Sequence, residues 1–349
     1  SREAESAGRN PDRQAVPHAR QRREVGARRC GRRSAVSRGG GNTGQPQRQA
    51  KSAAARAGRE LRRTHRREKQ PAFEKLLRRR KERGTVAAGR ETLPNPTHHR
   101  APQRVRNELR FRHITVASKT RVADAFWRIV FSGSDLAGFH SPSFDDHIKV
   151  FFPDTPGGAL ALPHMTDEGI VWPDGVRPAA RDYTPLAFNG SDSLTLDFYI
   201  HDGGVASSWA SAAQPGDRIA MGGPRGSCVV PVDYACQIYV CDETGLPAFK
   251  RRYQEMQAQQ IHLLACVDEP VGRAYLGDLP DVTVSWLGSG KMQTEALTPL
   301  LDPIMLPADD YFIWLTGEGA AVKQLSDYFT QQRAAHSDLV RAVAYWHQK

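Results

Sequence analysis

From residue 233 onward, apolar runs and amphipathic segments alternate, and no other property of the chain restricts its fold so tightly. "QIYVCDE", "IHLLACVDE", "VTVSWL", "YFIWLTGEG" and "LVRAVAYWHQK" read as strands. Among them, "TGLPAFKRRYQEMQAQQ", "TEALTPLL" and "AAVKQLSDYFTQQRAA" read as helices, the first with Pro247 early, where a missing N–H costs little. Strand and helix in alternation predict a doubly wound parallel α/β sheet, which binds nucleotides at the carboxyl ends of its strands. "VCDETGLPAF" and "WLTGEGAAV" fall at two such ends. Neither holds a complete GxGxxG fingerprint; Gly317-Glu318-Gly319 is a fragment of one.

The preceding stretch has a different rhythm. "LRFRHITVASKT" alternates apolar and polar positions, as a half-buried strand does. "AFWRIVFSG", "HIKVFFPD", "RDYTPLAFN", "SLTLDFYIHD" and "DRIAMGG" follow as short β-rich runs broken by Gly, Pro, Asp and Ser, which predicts an antiparallel barrel or sandwich. One helix interrupts them, "GGVASSWASAAQPGD", starting after Gly203-Gly204 and stopping near Pro215-Gly216. The expected organisation is a β-barrel over 103–232, a linker near Val229 to Cys236, and an α/β domain over 233–349. Such a pair suits a flavin reductase, with the flavin on the barrel, the nicotinamide on the second domain, and the two rings meeting at the cleft.

Three short segments carry candidate chemistry. In "RDYT" a strand would aim Arg181, Tyr183 and Pro185 one way, and Asp182 and Thr184 the other. Arg181 suits a phosphate and Tyr183 a flat ring, although these four residues alone read more readily as a strand with an exposed ion pair of Arg181 with Asp182 or another acid. In "HDGGVASSWA", Gly203 and Gly204 permit a sharp turn and a close approach to the backbone. The helix start behind them, with Ser207 and Ser208 in or near its first turn, suits a pyrophosphate; an ordinary Gly-rich turn reads the same way. In "GGPRGSCVVP", Arg225 sits at the tip of a tight loop.

Composition divides the chain. Residues 1–106 hold 30 basic and 9 acidic residues, whereas the remainder holds 19 basic and 29 acidic, a net of −10 within an overall +11. Residues 1–92 are rich in Gly, Ser, Gln and Arg and show no sustained apolar period, so they are expected to be a disordered basic extension, with "EKLLRRRKERG" (Glu74 to Gly84) as a short basic helix. Three readings stand: an arm that binds nucleic acid by counterion release, an Arg-rich targeting segment, or upstream sequence translated from an early start or in another frame. The third is favoured, because the composition changes abruptly near Glu91 and Phe73 is the only aromatic residue of the tail. Five Cys without zinc-ligand spacing suit reduced thiols in a cytoplasm. No apolar run approaches the ~20 residues that span a bilayer.

Taken in order, "DDHIKVFFP", "EGIVWPDGVRPAARDYT", "FYIHDGGVASSWA", "GPRGS", "CDETGLPA", "WLTGEG" and "AYWHQK" resemble the siderophore-interacting protein family, in its NADPH-dependent ferric-chelate reductase branch, over about residues 103–349. The resemblance implies a ferredoxin-reductase-like architecture, with an FAD-binding barrel before an NAD(P)H-binding α/β domain. It also implies cytoplasmic reduction of ferric siderophores or other ferric chelates. Carried over, Arg181, Tyr183 and Thr184 line the flavin and its phosphates. His201, Gly204, Val205, Ala206 and Ser208 cradle the pyrophosphate. Asp242, Glu243 and Thr244, with Gly317 and Glu318, line the nicotinamide side, and Trp346 packs near the flavin cleft. Two departures stand out. Leu186 occupies a place where many relatives carry Arg, and "WLGSG" provides no Arg for a 2′-phosphate. NADPH, with NADH as the alternative, is therefore expected from the branch and not from a visible anchor.

An acidic body repels anionic ferric chelates unless local cations offset it. Lys149, Arg225 and Lys323 are the candidates for that substrate patch. No protein iron ligand is required, since the electrons pass through the flavin. Two other functions remain open at this point: a flavoreductase that feeds a partner protein, and a nucleic-acid-binding protein acting through its Arg-rich arm.

Overall fold

A computed structural model describes residues 100–348 apart from 156, 174 and 291. The Arg-rich extension and the helix expected over Glu74 to Gly84 lie outside the described residues. The described residues cluster as one compact unit.

The chain opens with β1 (Gln103–Arg106), β2 (Phe111–Val122), β3 (Phe126–Ser132) and β4 (Ile148–Phe152). A small hairpin, β5 (His164–Thr166) and β6 (Gly169–Val171), precedes β7 (Ala179–Tyr183), β8 (Ala187–Phe188) and β9 (Ser193–Tyr199). Helix α1 (Val205–Ala212) leads into β10 (Arg218–Gly222) and β11 (Gly226–Val229). Seven of these strands form an antiparallel sheet in the order β7-β4-β10-β2-β3-β9-β8, and β1 pairs with β11. Alternation sends Ile114, Val116, Ile148, Val150, Phe152, Leu194, Leu196, Phe198, Ile219 and Met221 to one core, closed by Trp209 and Ala210 of α1. Tyr183 and Phe198, with ring centroids 4.4 Å apart, join β7 to β9 and curl the sheet toward a barrel. The run "RDYTPLAFN" is not one strand: it breaks into β7 and β8 around Pro185, which has no N–H to offer a ladder.

The second half contains β12 (Cys236–Asp242), α2 (Leu246–Glu255), β13 (Gln260–Cys266), α3 (Glu269–Leu276), β14 (Thr283–Trp286), α4 (Thr294–Leu301), β15 (Tyr311–Glu318), α5 (Gly319–Asp327) and β16 (Val340–Trp346). Its five strands are all parallel, in the order β14-β13-β12-β15-β16. Every residue of β12 is buried, as expected for a strand covered on both faces. The order reverses between β12 and β15, which places a topological switch point at the carboxyl ends carrying Asp242 and Glu318. Helix α3 escapes the sequence reading, because "EPVGRAYL" is short and begins with a proline in its first turn. Helix α5 ends at Asp327, well short of the expected run, and gives way to a π turn over Tyr328–Gln332.

Among the hydrogen bonds that tie the halves, those of Asp197, Asp145 and Arg251 stand out. Asp197 of β9 accepts from the Tyr275 hydroxyl of α3 while holding Arg128 at 2.7 and 2.8 Å. Asp145, before β4, accepts from Arg341 of β16 at 2.6 Å and from the Trp314 indole at 3.3 Å. Arg251 of α2 donates to the Ser141 hydroxyl and carbonyl and to the Pro185 carbonyl, at 2.9 to 3.0 Å. The seam thus runs past the end of the RDYT segment and across the middle of β15 and β16, and Tyr199 of β9, beside Glu243 and Ser289, extends it to the switch point.

Candidate flavin and dinucleotide site

Strand β7 presents two chemically different faces. Register pairs Val150 with Arg181 and Ile148 with Tyr183, so these two point to the inner side of the sheet. Asp182 faces the other way and accepts from Lys149 at 2.6 Å. The Arg181–Asp182 pair considered from sequence therefore does not form. Among the described residues no carboxylate holds Arg181; its guanidinium donates to the neighbouring Ala180 carbonyl and is exposed. Tyr183 is packed on Phe198, and burial pushes its phenol far up, so the ring stays neutral. Thr184 is buried at the end of the segment.

The second motif forms a shallow cradle. Gly203, at φ +76°, makes the turn, and Gly204 is the N-cap of α1 without a side chain to cap it. A Cβ at Gly204 would lie 2.3 Å from Cε1 of His201, so only glycine leaves the His201 ring where it stands. That ring lies over Tyr199 with centroids 6.1 Å apart. The Ser207 hydroxyl is turned back to accept from the His201 N–H at 3.0 Å, which leaves Val205 and Ser208 as the exposed first-turn residues, while the Ala206 side chain is buried in the barrel core and only its backbone is left to offer. An uncapped helix start, a glycine with no room for a Cβ and a cation without a carboxylate partner are the donor set that an anionic pyrophosphate requires. The residues present fit FAD.

At the switch point, Asp242 accepts from the Thr244 N–H at 2.9 Å, from the Thr244 hydroxyl, and from the Trp346 indole at 2.7 Å. A Cβ on Gly317, whose φ is +146°, would lie 2.6 Å from the Met292 sulfur and 3.0 Å from an Asp242 carboxylate oxygen, so glycine keeps both neighbours where they stand. The Glu318 carboxylate caps α5, accepting from Ala320 and Ala321 at 2.9 and 3.0 Å, which holds it below the usual carboxylate range. Asp242, Thr244, Gly317, Glu318 and Trp346 thus come together at one edge. Glu243 is bonded to Ser289 of its own half and lies near Tyr199 of the barrel. Burial pushes both Asp242 and Glu243 up. After β14, Ser289 donates from its backbone to Asp268 at 3.0 Å, in the turn where an arginine is missing.

Lys149 and Arg225 line one cavity of about 590 Å³ on the outer face of β4, β7 and β10. Phe111, Phe151 and Trp172 form its aromatic wall, with Phe151 and Trp172 centroids 4.8 Å apart, and Arg177 adds a third cation. Lys323 is elsewhere, on α5, paired with Asp327 one turn on at 2.5 Å. The expected patch of three therefore reduces to two of its members, and Arg177 and Trp172 join them. Both stand in "WPDGVRPAARDYT", where proline and glycine signal a loop and hide its role as a cavity wall. Among the described residues no cluster of His, Cys, Asp and Glu could hold a metal ion, and no helix is long and apolar enough to cross a membrane.

Residues 115–228 match the siderophore-interacting FAD-binding domain, and residues 234–349 match the siderophore-interacting protein domain. The chain is 49% identical over 254 residues to the NADPH-dependent ferric-chelate reductase of Escherichia coli, covering 72% of this chain and 98% of that protein. It is 26% identical to the ferric vibriobactin reductase of Vibrio cholerae, over 65% of this chain and 86% of that one. Among solved structures, a siderophore utilization protein from T. fusca superposes with a TM-score of 0.60 at 27% identity, over 71% of this chain and 96% of that one. A siderophore-interacting protein from Aeromonas hydrophila gives 0.50 at 25% identity, over 68% and 99%. The chain belongs to the siderophore-interacting protein family.

Proposed function

We propose that this protein uses FAD and NADPH to reduce ferric siderophores or other ferric chelates in the cytoplasm, releasing ferrous iron. The observation that carries this reading is the placement of one seam. Thr184 of the RDYT segment lies beside Tyr345 of β16, and His201 of the Gly204 cradle stacks on Tyr199, which stands near Glu243 and Asp242; these contacts support a flavin on the barrel facing a nicotinamide at the switch point.

The residues divide the work. Arg181 and the first turn of α1 (Val205, Ala206, Ser208) hold the pyrophosphate, with His201 over Gly204 closing one side. Tyr183 backs the flavin ring, and Thr184 reaches its edge. Thr244, Gly317 and the Trp346 side chain shape the nicotinamide side, while Asp242 fixes Thr244 and Trp346. The chemistry FAD supplies when bound is the conversion of a hydride into single electrons, which matches NADPH to one-electron iron. Ferric iron is the substrate. Oxygen-rich chelators hold the hard ferric ion tightly and the ferrous ion loosely, so reduction alone releases it.

Lys149, Arg225 and Arg177 line the 590 Å³ cavity together with Asp182, which pairs with Lys149 at 2.6 Å, so Arg225 and Arg177 leave a net positive charge there in a body that is otherwise acidic. An anionic chelate is drawn there and not to the remaining surface. The test is NADPH oxidation by the FAD-loaded chain with an anionic ferric chelate and a colorimetric ferrous trap, under nitrogen. Ferrous complex accumulating at two per NADPH supports the reading; NADPH oxidation without ferrous iron overturns it.

A further inference from the structure

The last strand contains an irregularity whose consequence falls on the flavin side. Along β15 and β16, Gly317 pairs with Ala344 and Glu318 with Trp346, so Tyr345 is an extra residue with no partner opposite. A bulge of this kind re-aims a side chain next to a site. Here the phenol turns toward the barrel, and the Thr184 hydroxyl lies beside it. Burial and the Asp145 carboxylate push the Tyr345 phenol up, so it remains a neutral O–H donor. Its oxygen is enclosed, yet among the described residues no hydrogen bond of good geometry reaches it. An enclosed hydroxyl left without a well-formed bond calls for a function.

The ring itself is held on both sides. Trp314 meets it edge-on with centroids 6.3 Å apart, and the Trp314 indole is anchored on Asp145. The next residue, Trp346, is tied to Asp242 at 2.7 Å. A threonine hydroxyl has one proton and rotates freely, so a neighbour fixed in place decides where that proton points.

We propose that Tyr345 is a positioning residue for Thr184: the bulge in β16 aims its O–H at the Thr184 oxygen, so that the Thr184 proton is left for the edge of the flavin ring. This rests on the reading above, in which Thr184 faces the flavin. It gives the nucleotide-binding half a direct hold on the flavin-binding half, through two hydroxyls at the seam.

The experiment uses the FAD-loaded full chain and three variants: Tyr345→Phe, Thr184→Val and the double variant. The readouts are the visible absorption bands of the bound FAD, the rate at which NADPH bleaches them, KM for NADPH, and the thermal midpoint. Tyr345→Phe is expected to keep its FAD, its midpoint and its KM, to shift the absorption bands, and to slow bleaching roughly three- to tenfold, the worth of one hydrogen bond. Thr184→Val is expected to do the same, and the double variant no more than either single one. Unchanged bands and rate in Tyr345→Phe, or additive losses in the double variant, overturn the proposal. If Thr184→Val alone leaves the bands and rate unchanged, then Thr184 does not face the flavin, and both the underlying reading and the proposal fall.

Discussion

The Asp145 carboxylate in the barrel half accepts a hydrogen bond from Arg341 in the α/β half at 2.6 Å. Asp145 is almost fully enclosed, with 1% of its side chain exposed, and Arg341 is largely so, with 23%. The carboxylate also collects the Ser143 hydroxyl at 3.0 Å and the Trp314 indole at 3.3 Å. One buried anion therefore orders a barrel loop and the middle of two parallel strands at once. Removing its charge leaves a mostly buried guanidinium without its partner. Asp145→Asn is predicted to lower stability by about 3 kcal/mol, the scale found on breaking buried pairs. Urea unfolding followed by tryptophan fluorescence measures it. Lys323→Gln, which breaks an exposed pair on α5, is the control and should change stability by less than about 1 kcal/mol. Equal effects of the two would show that the seam is not fixed by Asp145.

The cradle makes a steric prediction. Gly204 has φ −92°, which alanine adopts without strain, so any effect of Gly204→Ala comes from the clash of its Cβ with His201. The His201 side chain is exposed and can swing away, and the fold should lose no more than about 1 kcal/mol. A swung His201 leaves the pyrophosphate cradle misshapen. The FAD dissociation constant, followed by flavin fluorescence, should rise about tenfold, which requires only ~1.4 kcal/mol. Unaltered FAD affinity would remove Gly204 from the site.

Charge in the cavity makes another. Lys149→Gln and Arg225→Gln should each raise KM for a highly anionic ferric chelate about two- to fivefold, the scale for half-exposed charges. The effect should be smaller for a neutral chelate and should fade in high salt. Lys323→Gln should leave KM unchanged. Equal KM values across all three variants and both chelates would mean that the cavity does not receive the substrate.

The acidic switch point predicts a pH dependence. Burial raises Asp242 and Glu243 above their ordinary values of 3.8 and 4.5, so the folded chain keeps both protons to higher pH than the unfolded chain does. The stability they contribute is complete below those ordinary values and declines as pH rises through the raised folded ones. Their ionised forms also repel the phosphates of a dinucleotide. KM for NADPH should therefore increase as pH climbs out of the ordinary carboxyl range, and Glu243→Gln should flatten that increase. A KM independent of pH over the same range would place the dinucleotide away from these carboxyls.

Much of the fold and part of the site are legible in the order of the amino acids, for definite reasons. The runs around Tyr239, Leu264 and Trp314 are continuously apolar because their strands are covered on both faces, so the parallel sheet is visible in one dimension. The Gly203-Gly204 turn is visible because few residues other than glycine make it. The bulge at Tyr345 is not, since one extra residue leaves the alternation of β16 looking like a strand in register. Asp145 stands in "DDHIKVFFP" and looks like loop polarity until Arg341, 196 residues away, is brought to it. Lys323 misleads for the opposite reason: its partner Asp327 is only one helical turn away, a local pair that mimics a free cation in the sequence.

Whether a flavin at the seam carries electrons from dinucleotide to ferric chelate is read out by anaerobic visible spectroscopy of the purified full chain. The protein should be yellow, or become yellow with added FAD, and its visible flavin band should bleach on addition of about one NADPH per flavin and return when about two ferric chelates are supplied. A chain that takes up no FAD, or whose bleached flavin does not respond to ferric chelate, would contradict it.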